Sequence, residues 1–343
     1  QWAEFDTILG SYLERDWDGI DKLQQRLLLW WHRFKAETRD VAKRTIDDSF
    51  IKKGGLQEPD PNLWPSETIR FSARKRRPLH VVWSLSTMPI EWNFLYSEIL
   101  GHIERPVIPS QAASPLECRD DMLLVTIPWW PVRGREEREA MWRSWHDCIQ
   151  NSGAKNVGLL EFGDEQGEST SWHYSGFDYV LRHYYFPKYD DMPNVTWIPN
   201  GYTSETGPRV ASSLPPASLR NTFCYFEGSV QGGRSEHDRK ELAEALASGK
   251  STSHCSFRDT GLWAGGSSKF EYTLKLQDTI FALCPEGNSP ETLRLYEAME
   301  NGAIPVVKRG SDVMMRGPFK SAPFVFVQQW AEFDTILGSY LER

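Results

Sequence analysis

Between Leu79 and Val307 the chain alternates short apolar runs with stretches of helical period, and it does so twice in succession. That order leaves few folds open. A strand joined to the next strand through a helix must cross over and lie parallel to it, and parallel sheets are buried under helices on both faces. In the first round Leu79–Trp83, Met122–Ile127, Val157–Phe162, Phe177–Leu181 and Val195–Ile198 read as strands, with helices over Glu91–Ile103 and Arg135–Ile149. In the second, Phe223–Phe226, Phe281–Cys284 and Ala303–Val307 read as strands, with helices over Glu236–Leu246 and Phe270–Gln277. The class is α/β: two Rossmann-like, doubly wound halves that meet near Gly201 and face a cleft, with long terminal helices. The expected division is a helical segment over 1–54, one α/β domain over 55–200, a second over 201–328, and a closing helix over 329–343.

The two ends of the chain are identical: Gln1–Arg15 and Gln329–Arg343 both read QWAEFDTILGSYLER. Trp2, Phe5, Ile8, Leu9, Tyr12 and Leu13 share one helical face, as do their second copies. Convergence does not produce identity over such a length. The chain order is expected to be circularly permuted with an overlap, or to be a window on near-identical tandem units. In the unpermuted order Arg343 would run into Asp16, and 1–54 would be the C-terminal end. From Asp16 to about Phe50 the residues Ile20, Leu23, Leu27, Trp30, Trp31 and Phe34 mark the buried stripe of a long helix. A Gly- and Pro-rich linker follows from Lys53 to Pro65.

Composition removes several function classes. The 39 Lys and Arg against 47 Asp and Glu give a net charge of −8, which disfavours a broad nucleic-acid surface. The basic run Arg74–Arg77 reads as a solvated linker. No apolar run reaches the ~20 residues that span a bilayer, so the chain is expected to be soluble, as the trimmed ectodomain of a secretory or Golgi protein. The sequon Asn194-Val195-Thr196 fits such a compartment, but it lies in a strand-like run. The five Cys lack metal-finger spacing, and their odd number leaves at least one unpaired or joined to another chain. The eight His form no HxH or HExxH arrangement. Asp16-Trp17-Asp18 matches a DxD metal pattern, but it opens a long helix and reads as capping. Neither a metal nor another cofactor is expected.

Chemistry concentrates in Phe281–Val307, a strand, a glycine-containing turn, a helix and a second strand. No Walker or GxGxxG fingerprint is present. Ser289 reads as the helix N-cap with Pro290 at the first helical position, and Asn301-Gly302 as its stop. The helix N-terminus then emerges at the carboxyl edge of the sheet, where its free N–H groups suit a diphosphate. Arg294 and Glu297, three apart, share one helical face. A guanidinium there can neutralise a phosphate and a carboxylate can take both ribose hydroxyls. The plain alternative is an ordinary Arg–Glu surface pair.

Cys284-Pro285 with Gly287, Arg294 with Glu297-Ala298, and Gly302 with Pro305-Val306 resemble the donor-site segment of the exostosin-type glycosyltransferases, glycosyltransferase family 47, and within it the ribitol xylosyltransferase branch. The stretches Val157–Glu165, Phe177–Tyr185 and Ile198–Tyr202 are similar to that branch as well, and the resemblance spans about Leu79 to Val327. It implies a GT-B fold, a UDP-sugar donor such as UDP-xylose, a glycan or polyol-phosphate acceptor, and an inverting transfer without a bound metal. Carried onto this sequence, Arg294 holds the diphosphate, Glu297 the ribose, and Gly228 and Ser229 let the loop backbone approach the phosphates, with Arg234 a second phosphate ligand. Gly287, Asn288, Ser289, Glu291 and Thr292 complete the candidate donor site.

Inversion needs a base for the acceptor hydroxyl. Asp164 and Glu165 follow the strand Val157–Phe162 and are the candidates, set against the bland reading of a solvated turn. Arg182, at the end of the next strand, would bind an acidic acceptor or pair with those acids. Two other readings stay open. One is a degenerate GT-B protein that binds glycans or scaffolds a partner without turnover. The other is a glycoside hydrolase, for which no pair of acids is singled out. The 15 Trp lean towards carbohydrate, although indole is more often core.

Overall fold

The computed structural model describes residues 16–52, 77–83, 90–103, 105–112, 116–127, 134–231, 236–249, 254–261 and 265–341. They form two compact units: residues up to Lys35 with Ile90–Phe94 and Asn200 onward make one, and Ala36–Pro89 with Leu95–Pro199 make the other. The helix Asp16–Lys52 is therefore divided between them at Lys35 rather than standing as a segment of its own.

The second of these units holds a six-stranded sheet: β1 (Leu79–Trp83), β2 (Val107–Gln111), β3 (Met122–Thr126), β4 (Val157–Glu161), β5 (Tyr179–Arg182) and β6 (Val195–Trp197). Its order is β2-β1-β3-β4-β5-β6, and every pair is parallel. The central strands β3 and β4 are buried along their whole length, as unbroken apolar runs should be in a sheet covered on both faces. Trp142 and Trp145 of the helix Arg135–Ser152 pack onto them with Tyr174 and Phe177.

The other unit holds β7 (Thr222–Gly228), β8 (Cys255–Asp259), β9 (Thr279–Leu283), β10 (Ile304–Lys308) and β11 (Val325–Val327), again all parallel, in the order β11-β10-β9-β7-β8. Each sheet thus starts inside, steps out to one edge, then crosses back and builds the other way. That is the doubly wound order in which the strand direction of growth reverses at one switch point. Here the switch lies between β1 and β3 in one sheet and between β7 and β9 in the other. The two-fold α/β reading of the sequence holds, with parallel sheets throughout.

Two strands escaped the sequence, β2 and β8. Both are sheet edges and largely exposed, so neither needs an apolar run, and β2 carries Pro109, which an edge tolerates. Disulfides join Cys118 to Cys148 and Cys224 to Cys255, the latter across β7 and β8, and Cys284 is free and buried.

The first turns of the long helix bury Ile20, Leu23, Leu27 and Trp31, the expected stripe, with Trp30 half-buried. Trp31 Nε1 and Lys35 Nζ both donate to Glu300, at 2.6 and 2.8 Å, and Gln24 donates to the carbonyl of Gly302 at 2.8 Å. These bonds tie the helix to the C-terminal end of Leu293–Glu300. Position 201 requires glycine: its φ is +75°, and a Cβ there would lie 2.0 Å from the ring of buried Phe94. Among the later repeat, residues 331–341 are helical, Trp330 and Phe333 are buried, and Trp330 Nε1 donates to Asp238 at 2.9 Å. The copy at Gln1–Arg15, the DxD side chains of Asp16 and Asp18 and the basic residues 74–76 lie outside the described side chains. Arg77 pairs with Asp120 at 3.2 Å and with buried Asp121 at 3.1 Å. No described helix is long and apolar enough to cross a membrane.

Candidate functional site

In an open doubly wound sheet the loops at the carboxyl ends of the two switch-point strands leave a crevice between them. For the second sheet those loops follow β7, at Gly228-Ser229, and β9, at Cys284–Thr292. The helix after β9 starts later than its sequence suggests. It runs Leu293–Glu300 with Thr292 at the N-cap position, so Ser289 and Pro290 are not its start. The segment before it is instead a tight loop: Gly287 N–H donates to Ser289 O at 3.0 Å, Thr292 N–H to Pro290 O at 3.1 Å, and Ser289 Oγ accepts from Glu291 N–H at 3.2 Å. Glu291 is buried, its carboxylate taken by the Tyr296 hydroxyl and its carbonyl by Asn200 Nδ2. Asn301-Gly302 ends the helix as expected.

Arg294 and Glu297 do not pair with each other. Arg294 stacks over the Phe226 ring at 4.5 Å and its Nη2 donates to the carbonyl of Glu227 at 2.5 Å. A Cβ on Gly228 would stand 2.5 Å from that Nη2, so the glycine makes room for the guanidinium. The role differs from the expected one of admitting phosphates to the loop backbone. Arg294 Nε and Thr292 Oγ1 are both buried and without a hydrogen-bond partner among the described residues. Two orphaned polar atoms at one sheet edge carry a cost that a polar ligand would relieve. Glu297 is buried, and among the described residues its two bonds fall on Oε1, from the Thr203 hydroxyl and from Lys269 Nζ at 3.4 Å.

Three further residues of this unit were not singled out in the sequence. Arg239 donates to Ser229 O at 2.8 Å and Glu286 O at 2.9 Å, linking the loops after β7 and β9. Lys269 stands by Glu297 as above. Glu227 accepts from Tyr225 at 2.5 Å, Lys275 at 3.1 Å and Ser267. Burial pushes its carboxyl up, but those donors outweigh it and hold it down at about 2. A carboxylate so fully engaged fixes the end of β7 in place. None of the three stands in a recognisable spacing, because most of their partners are distant in sequence, Lys275 and Ser267 for Glu227, Glu286 for Arg239 and Glu297 for Lys269. Ser229 is tied down, its hydroxyl donating to Gln231 O at 2.7 Å, while Asn288 is exposed. Arg234 lies outside the described residues.

The other candidate residues follow β4 and β5. Asp164 does not project freely: it is 2% exposed and accepts from Glu168 N–H at 2.7 Å, Ser169 N–H at 3.2 Å, Tyr189 at 3.3 Å and Arg182 Nη2 at 3.1 Å. A loop that turns back over its own aspartate, with a guanidinium beneath, uses up the oxygens a base needs. Arg182, 1% exposed, therefore pairs with Asp164 and is not available whole to an acidic acceptor. Glu165 is half-buried and accepts from the Tyr184 hydroxyl at 3.2 Å. Glu161, at the end of β4, is buried and bonded by Tyr174 and Ser169; burial first, then the charge of Asp164, push its carboxyl up to about 7 against the pull of Arg182. Asn194 donates its amide to the carbonyls of Tyr174 and Phe177, both at 3.2 Å, so the sequon asparagine has a structural use. Among the described residues no group of three or more His, Cys, Asp and Glu is placed to hold a metal ion.

The RXYLT1 C-terminal domain family matches residues 208–342, a span that contains β7 to β11 and the Arg294 helix. Ribitol-5-phosphate xylosyltransferase 1 of Danio rerio is 26% identical over 235 residues, 60% of this chain and 52% of its own length. The protein of the same name from Homo sapiens is 23% identical over 366 residues, 96% of this chain and 76% of its own. The chain thus spans about half the length of the first relative and three quarters of the second. By sequence it is similar to proteins named as xylosyltransferases, and the family match falls on the unit that carries Arg294 and Glu297.

Proposed function

We propose that this chain is an inverting, metal-independent glycosyltransferase of GT-B, exostosin type, which transfers a sugar from a UDP-sugar, UDP-xylose first among them, to a polyol-phosphate or glycan acceptor. The observation that carries the reading is the switch-point site of the second sheet. Arg294 and Thr292 stand there at the start of a helix, and among the described residues Arg294 Nε and Thr292 Oγ1 have no hydrogen-bond partner. A diphosphate supplies acceptors for all of these at once. Glu297, with Oε1 held by Thr203 and Lys269, presents its carboxylate to the ribose hydroxyls. Leaving-group charge then builds on a diphosphate already paired with a guanidinium, which is the stabilisation a metal would otherwise supply. In this reading Glu165 takes the acceptor proton as the hydroxyl attacks the anomeric carbon and the carbon–oxygen bond to UDP breaks. Two disulfides support work in an oxidising secretory or Golgi lumen.

Arg294→Ala removes a charge-assisted contact of about 1.5–3 kcal/mol, so UDP should bind roughly tenfold to over a hundredfold more weakly by calorimetry. Gly228→Ala keeps every charge but displaces the guanidinium, and it should weaken UDP in the same direction. Unchanged affinity in both variants would remove UDP from this site.

A further inference from the structure

The first sheet carries a hollow at its carboxyl edge, beside β5 and β6 and away from that sheet's switch point. It has a volume of about 170 Å³, and its lining includes Arg182, Tyr185, Phe186, Tyr189, Asp190 and Trp197. Tyr185 and Trp197 meet at a right angle, 88° with centroids 6.4 Å apart, and make two walls of an aromatic corner. The Tyr185 hydroxyl donates to Asp190 at 2.8 Å, which fixes that wall. Arg182 forms the deep end, its guanidinium stacked 3.7 Å over the Tyr189 ring. Its Nε and Nη2 are used, by His183 O and Asp164, but Nη1 is buried with no hydrogen-bond partner among the described residues.

The charges decide what such a hollow takes. Arg182 is already matched by Asp164 at 3.1 Å, and Asp190 adds a carboxylate to the lining. Lys188 spends its ammonium on the carbonyls of Gly167 and Ser169. Arg182 and Lys188 are balanced by Asp164 and Asp190, so these four groups leave no net positive charge for a phosphate or carboxylate. Hydroxyl groups suit both ends: their oxygens can accept from the Arg182 guanidinium and their protons can go to Asp190. Flat aromatic walls complement the C–H faces of a ring better than an open chain. We propose that this pocket is a subsite for a neutral pyranose ring, the saccharide part of the acceptor. The word acceptor rests on the transferase reading above; the binding itself does not.

Saturation-transfer NMR on the full chain tests this with three probes: methyl β-xylopyranoside, ribitol and ribitol 5-phosphate, each at millimolar concentration. The pyranoside should show saturation on its ring C–H protons and ribitol markedly less. Trp197→Ala and Asp190→Asn, both at residues not fully buried, should each weaken the pyranoside roughly three- to tenfold. UDP affinity, titrated in the same samples, should not change. Loss of UDP binding with the pyranoside still bound would leave the pocket standing and remove the donor reading. Equal saturation in both variants, saturation by ribitol 5-phosphate alone, or none by any probe would overturn the subsite.

Discussion

Asp164→Asn is expected to lower the stability of its unit by about 3–5 kcal/mol, the range for breaking one side of a buried ion pair. The substitution is nearly isosteric, so packing survives, but the charge goes and one of the two accepting oxygens becomes a donor nitrogen. What remains is the guanidinium of Arg182, 1% exposed, stacked on Tyr189 and facing an amide instead of a carboxylate. Part of the loss is offset from within the cluster. With the charge of Asp164 gone, Glu161 no longer meets that repulsion and should ionise below about 7, giving Arg182 a carboxylate charge in place of the one lost. Urea unfolding at neutral pH, with a carboxyl titration of Glu161 by NMR, checks both halves. A variant as stable as the parent would mean that the Asp164–Arg182 pair holds nothing together, and would return Asp164 to the list of candidate bases.

The second large effect is on turnover. Glu165→Gln should reduce transfer by on the order of 10²–10⁴ while leaving UDP affinity and stability close to the parent. Of the two neighbouring acids it is the one with access to solvent, and a single hydroxyl, that of Tyr184, is its hydrogen-bond donor among the described residues. Asp164→Asn separates from it cleanly, since its losses should track stability and recover on cooling or with stabilising osmolyte. Full activity in Glu165→Gln would move the base elsewhere.

The alternation of elements was legible because β3, β4, β9 and β10 are buried on both faces, which forces unbroken apolar runs. The edges β2 and β8 were not, since one-sided exposure frees them to read as VIPSQ and CSFRD. The helix carrying Arg294 was found but its start was set three residues early: Ser289-Pro290 has the letters of a cap, yet buried Glu291 and its bonds to Tyr296 and Asn200 hold the segment as a loop. Arg294 and Glu297 were visible as a pair by spacing, whereas their real partners, the Glu227 carbonyl and Thr203, are set by strand β7 and by the turn after Asn200. No periodicity encodes such contacts. Asp164 shows the same limit from the other side. The sequence placed it after a strand, but only the fold reveals that its loop closes over it.

The most direct test of the central claim is UDP release by the full chain from a panel of UDP-sugars, UDP-xylose included, with and without ribitol 5-phosphate and with and without EDTA. The account predicts release from at least one donor, accelerated by acceptor, undiminished by EDTA, and with the transferred sugar inverted at its anomeric carbon. UDP binding with no release from any donor would contradict it and favour a glycan-binding or scaffolding protein; activity lost in EDTA and restored by manganese would contradict the metal-free site.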